Sequence, residues 1–288
     1  MAFSKEFEFK SAKRLDDIRG SYFSMPAGII FDNGNETKLT ASFSFFAVSR
    51  GLNYKAMFSL NGMVEWSGKK PTRNVGGTNH KFSCAINKLE DMGYISLNGK
   101  ASNVACCTAD INMEKIRREC DEDGYALIWV DELDKILHWE NKDCKDSFVN
   151  ADVLLKVFAY LRMMIPRRPN KMHGWEINVD NKNDPNLDIE SRRMRMPEAY
   201  SAYYCDIAED LDMSERVVSK SIDCLEDMGL MHSEALPRIK VNGKWNTNQT
   251  VFCNAYKREG RYLLANGKEY WRKEIECKKR ILKSMGGR

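Results

Sequence analysis

The sequence predicts an α+β fold, mainly helical, made of two tandem copies of one helix-turn-helix unit and closed by a C-terminal helix. Three observations carry that expectation. The first is residues 214–229, where Ser214 can cap a helix, Val218, Ile222 and Leu225 recur at helical spacing, and Gly229 supplies the stop. The second lies upstream: Tyr203 to Leu211 reads as a short amphipathic helix, and Asp212-Met213 as a tight turn into the next one. The third is a repeat. Ile86-Asn87-Lys88-Leu89-Glu90-Asp91-Met92-Gly93 returns later in the chain as Ile222-Asp223-Cys224-Leu225-Glu226-Asp227-Met228-Gly229. At the same offset Thr78 matches Ser214 as expected cap, and Phe82, Ile86 and Leu89 match the apolar stripe without a gap.

Taken in order, residues 1–36 read as an N-terminal arm, with Phe7-Glu8-Phe9 and Gly28-Ile29-Ile30-Phe31 as short strands. The first unit spans 37–111. Lys38 to Val48 forms its opening helix, with Leu39, Phe43, Phe46 and Ala47 as the buried face, and Ser59 to Trp66 forms the next. The loop from Gly68 to Gly77 carries Lys69, Lys70 and Arg73 to the start of the third helix, where phosphate contact and plain solvation are both open readings. Beyond Gly93, Tyr94 to Leu97 reads as a strand, Asn98-Gly99 as a type I′ hairpin, and Asn103 to Ile111 as the returning strand. A hairpin directly after a helix-turn-helix is a wing, so the expectation becomes two tandem winged-helix domains. Residues 112–149 are a charged connector containing the apolar Leu127-Ile128-Trp129-Val130.

The second unit spans 150–256. It opens with an apolar helix from Asn150 to Ile165, which Pro166 ends, and carries a polar, cation-bearing insertion at 166–197. Leu230 to His232 should pair with Thr250 to Cys253, and Asn242-Gly243-Lys244 marks the wing tip. A basic helix within 257–288 closes the chain. That tail holds 11 Lys+Arg against 4 Asp+Glu, so of the net charge of +4 it carries +7 and leaves −3 on residues 1–256. An anionic partner and a solvated helix with its own ion pairs are both compatible with it.

The stretch Ile207-Ala208-Glu209-Asp210-Leu211-Asp212-Met213-Ser214-Glu215-Arg216-Val217-Val218, ending in Leu225-Glu226-Asp227-Met228-Gly229-Leu230, resembles the winged helices of phage and plasmid replication proteins and related bacterial regulators. Val157 to Arg162 is similar to the first helix of that group. The resemblance covers most of the second unit apart from its insertion, and reaches the first only through the repeat. It implies a replication-initiator-like protein of a plasmid, phage or other mobile element that binds double-stranded DNA as a monomer rather than a dimer. A transcriptional regulator, or a scaffold that antagonises a host replication or nucleoprotein component, are the alternatives. The loop at 68–77 and the insertion at 166–197 do not match the group.

The residues expected to touch nucleic acid follow from these positions. In the first unit they are Lys69, Lys70, Arg73, Asn79, His80, Ser83 and Asn87; in the second, Ser214, Arg216, Ser219, Lys220 and the wing residue Lys244; in the tail, Lys273 and Lys279. Such short polar and basic groups reach base edges and phosphates. The acidic pairs Glu90-Asp91 and Glu226-Asp227 at the helix ends keep the protein-binding alternative open. No GxxxxGK[ST], HExxH or GxSxG occurs, so no enzyme activity is expected. Nine irregularly spaced cysteines without CxxC read as reduced thiols in a cytoplasmic protein, and four scattered histidines predict no zinc site. No metal, cofactor or membrane association is expected, since no run approaches the roughly 18 apolar residues of a span.

Overall fold

Residues 22–26 alternate exposed and buried side chains until Pro26, the pattern of a short half-covered strand. In the computed structural model this is β1 (Tyr22–Pro26). The structure describes residues 21–32, 38–51, 53–139, 149–165, 199–236, 240–241, 244–245 and 249–255. Strand β1 is followed by the single turn α1 (Ala27–Ile30). Gly28 to Phe31 is therefore not a strand, because a run of four apolar residues has no period that separates a strand from one buried helical turn. A side chain at Gly28 would press against the Tyr94 hydroxyl, its Cβ only 2.9 Å away. The expected strand at Phe7 to Phe9 lies outside the described residues.

The first unit runs α2 (Leu39–Ser49), β2 (Lys55–Phe58), α3 (Leu60–Trp66), α4 (Thr78–Asp91), β3 (Ile95–Asn98) and β4 (Cys107–Ile111). Its three strands are antiparallel in the order β2-β4-β3. Helix α3 begins where expected, with the Ser59 hydroxyl accepting from Gly62 N at 3.1 Å. Helix α2 departs from its expected one-faced stripe, since every residue from Leu39 to Ala47 is buried. Its sequence permits this because the polar positions are Thr and Ser, and Ser44 satisfies its hydroxyl on the Thr40 carbonyl of the same helix at 2.8 Å.

The elements α5 (Met113–Glu122), β5 (Tyr125–Trp129) and α6 (Val130–Leu137) follow. Strand β5 pairs antiparallel with β1 from Tyr22↔Trp129 to Pro26↔Tyr125. Part of the expected arm and part of the expected connector thus form one sheet. Its inner face buries Phe23, Met25, Ala126 and Ile128.

The second unit runs α7 (Ala151–Met164), β6 (Tyr200–Ala202), α8 (Tyr204–Asp210), α9 (Glu215–Asp227), β7 (Met231–Ala235), the short pair β8 (Lys240–Val241) and β9 (Lys244–Trp245), and β10 (Thr250–Asn254). Asn150 caps α7 by accepting from Asp152 N and Val153 N. The main sheet has the order β6-β10-β7, and β7 pairs with β10 as expected, Met231 facing Asn254. With the short pair β8 and β9 set aside, the described residues of both units share the succession helix, strand, helix, helix, strand, strand, and in both main sheets the last strand is central.

The repeat holds in the apolar stripe and the stop of α4 and α9. Phe82, Ile86 and Leu89, like Val218, Ile222 and Leu225, are all fully buried. Gly93 and Gly229 both stand at positive φ, 75° and 67°, where a side chain would be strained. Tyr94 N and Leu230 N donate back to the Leu89 and Leu225 carbonyls, each at 2.9 Å.

One apolar cluster runs through both units and the elements between them. Helix α7 is its hub: it packs on α2, β5 and α6 as well as on α9. Buried charges line the same seam. Arg162 of α7 meets Glu132 of α6 at 2.8 Å with both side chains at 3 % exposure or less, and its guanidinium lies 4.7 Å from the Phe158 ring centre. Asp152, in the first turn of α7, is fully buried against the ammonium groups of Lys38 and Lys69. Burial pushes Lys38 down to about 8, the Asp152 carboxylate opposing that shift.

Candidate nucleic-acid interface

Helix α4 needs acceptors for its first backbone N–H groups, and the long loop before it supplies them. Thr72 Oγ1 accepts from Thr78 N at 2.7 Å and the Thr72 carbonyl accepts from Asn79 N at 3.2 Å. The Thr78 hydroxyl in turn accepts from Thr72 N and donates to the Lys70 carbonyl. Thr78 is therefore not the cap: Gly77 holds that position, and a Cβ there would lie 2.5–2.7 Å from Asn74 and Thr72. In the second unit Ser214 does cap α9, accepting from Val217 N at 3.4 Å. The difference follows from loop length, since the short turn before α9 leaves no residue free to fold back.

That loop divides the three expected cations. Lys70 and Arg73 are exposed at the start of α4. Lys69 is not available to a phosphate; it turns inward to Asp152, whose buried carboxylate outcompetes a solvated position. Asn79 is also corrected. It is 2 % exposed and donates to Asn61 Oδ1 at 2.7 Å and Asn103 Oδ1 at 2.8 Å, so its amide joins α3, α4 and the loop at Asn103 and does not face outward. His80 and Asn87 are exposed and Ser83 is half-buried on the outward side. The His80 ring rests against the Cys84 thiol, 3.8 Å from Nδ1 to Sγ. Lys81 is exposed beside them. Its signal was hidden by the comparison of the two copies, because it stands where the second unit has the half-buried Val217.

On α9, Glu215 and Arg216 are exposed, and Ser219 and Lys220 are half-buried. Lys220 pairs with Asp223 at 3.5 Å, both side chains largely in solvent. The face is thus balanced in charge. The surface of α4 with its two flanking loops is not: Lys70, Arg73, Lys81 and Lys100 are exposed there against Asp91.

Two readings of the helix ends change. Glu90 accepts from Leu97 N at 2.8 Å, and Glu226 from Ser233 N at 2.5 Å. These carboxylates serve the fold and are not offered to a partner, whereas Asp91 and Asp227 are exposed.

The expected first wing is no two-residue hairpin. Residues 99–106 form a broad loop, with Gly99 at φ 104°. The Ser102 and Asn103 carbonyls accept from Leu60 N and Asn61 N at 2.9 and 3.0 Å, so the loop closes over the start of α3. Val241 pairs with Lys244, while the expected wing-tip residues Asn242 and Gly243 lie outside the described ones. Lys244 belongs to β9 by its backbone; its side chain, together with Lys273 and Lys279, lies outside what the structure describes, as does the 166–197 insertion.

Among the described residues no three His, Cys, Asp or Glu side chains gather in a metal-binding group. None of the described helices is long and apolar enough to cross a membrane. No protein-family model matches the chain, and searches of curated proteins and of solved structures found no match.

Proposed function

We propose that both units are winged helices and that the chain is a sequence-specific double-stranded DNA-binding protein of the replication-initiator kind. The observation that carries the reading is the surface of α4. Its apolar side is buried at Phe82, Ile86 and Leu89, while His80, Lys81 and Asn87 face outward between loops bearing Lys70, Arg73 and Lys100. Cations that grip phosphates around a helix with base-edge donors and acceptors suit a major-groove reader. The corresponding face of α9 has different side chains at equivalent positions, so one chain should read a non-palindromic element of about two helical turns. Enrichment of random duplexes on the full chain, followed by footprinting and the mass of the complex, tests this. The expected result is one asymmetric element protected by one chain; no enriched sequence, or a symmetric footprint with two chains, overturns it.

The charge balance of α9, with Lys220 held by Asp223, favours a second reading in which that helix docks a host protein. In that case changes at Arg216 leave DNA affinity untouched.

A further inference from the structure

The two candidate readers are far apart in sequence, yet a continuous polar chain connects them. It starts on α4, where Lys88 pairs with the Asp32 carboxylate at 2.6 Å. The Asp32 carbonyl accepts from Lys156 of α7 at 3.1 Å. The same Lys156 ammonium donates at 3.3 Å to the carbonyl of Leu211, in the turn that leads into α9. One helical turn earlier on α7, Asp152 receives Lys69, at the root of the loop that caps α4. Positions i and i+4 share a helix face. Asp152 and Lys156 therefore hold the entry segments of both readers from consecutive turns of one buried helix.

From this arrangement we infer that α7, through Lys156 and Asp152, fixes the mutual placement of α4 and α9, and so sets a single permitted spacing between the two halves of the DNA element. The inference rests on the DNA-binding reading for its second half only. Two modules on a slack linker tolerate an added base pair by shifting along the groove. Two readers held through one core cannot, because each added pair moves the half-sites apart by about 3.4 Å and rotates them by roughly 34°. The Lys156 ammonium is suited to this role, since it spans two backbone carbonyls from different segments. Burial, opposed by Asp32 and Asp212, draws its pKa below the ordinary lysine value.

The test uses the full chain. Spin labels on unnatural keto side chains at Asn87 and Asp223, equivalent outward positions on α4 and α9, report the distance between readers without DNA. A single narrow distribution is expected in the parent and a widened one in Lys156→Met. A broad parent distribution, or one left equally narrow by Lys156→Met, overturns the inference. A lysine that merely stabilised the fold would lower the unfolding temperature without widening the distribution, and Lys156→Arg should restore narrowness. On an enriched duplex, one inserted base pair is expected to weaken parent binding on the order of 10-fold or more and Lys156→Met binding about 3-fold or less. Equal losses in both overturn the spacing half. If no duplex is enriched, the DNA reading fails while the label distances still decide the placement.

Discussion

The carboxylate of Glu90, near the end of α4, accepts the backbone N–H of Leu97 at 2.8 Å, tying the helix to the strand that follows Gly93. The second unit repeats the bond between Glu226 and Ser233, both partners displaced by the offset of the repeat. A buried or half-buried donor left without its acceptor costs about 1–3 kcal/mol. Glu90→Ala should therefore lower the unfolding free energy by about 1–2 kcal/mol, and Glu90→Gln, which keeps an acceptor oxygen, by under about 1 kcal/mol. Denaturant titration of the two variants checks this; equal losses would mean the bond contributes nothing specific.

Why that bond escaped the sequence is instructive. The repeat, the apolar stripes, the helix starts near Ser59 and Asn150, the Ser214 cap, and the pairing of β7 with β10 were legible because they depend on near neighbours and on period. Glu90 was visible too, but only as an acidic residue on a helix; its role depends on where Leu97 N points once the chain has turned at Gly93. Lys69 and Asn79 failed for a stronger version of the same reason. Each finds its partners far along the chain, Asp152 for one and Asn61 and Asn103 for the other. Asn98-Gly99 matched a hairpin signal, yet the ties of Ser102 and Asn103 to α3 demand a wider loop. The sheet of β1 and β5 joins Tyr22 to Trp129, a separation beyond any local pattern.

The buried pair of Arg162 and Glu132 should respond asymmetrically. Removing one partner strands a charge in the core, at about 3–5 kcal/mol. Arg162→Met alone is expected to cost that much. Adding Glu132→Gln removes the stranded charge while leaving an acceptor for Trp129 N, which Glu132 now serves at 3.2 Å. The double variant should recover more than about half of the loss. Thermal and denaturant unfolding of both variants measures it, and additive losses would contradict the pairing.

Lys38 makes stability depend on alkaline pH. Its folded pKa, about 8, lies below the ordinary lysine value of 10.5 because burial disfavours the charged form. Between those values the unfolded chain holds a proton that the folded chain has released, so stability rises with pH across that window. Below about pH 8 both states are protonated and the slope vanishes. The stability of the parent minus that of Lys38→Met should therefore increase from pH 8 toward pH 10, by at most about 1.4 kcal/mol per unit. A flat difference over that range would show that Lys38 does not titrate there.

The outward cations and the inward polar groups around α4 should separate cleanly in experiment. Asn79→Ala leaves the Asn61 and Asn103 oxygens without their shared donor, so it is expected to lower the unfolding temperature. Lys70→Ala and Arg73→Ala remove exposed charges and should leave the unfolding temperature unchanged. If these two side chains grip phosphates, the double variant weakens DNA binding almost equally for all sequences. The slope of log affinity against log salt should then fall in magnitude by about 0.9 for each phosphate released. His80→Ala or Asn87→Ala should instead relax preference at a single base position, at about 1–3 kcal/mol. In α9, Arg216→Ala with Lys220→Ala is expected to fold normally, since the exposed Lys220–Asp223 pair is worth about 1 kcal/mol at most. Its effect on affinity then decides the role of that helix. A loss confined to specific duplexes assigns α9 to base reading, and an unchanged affinity assigns DNA contact to α4 alone.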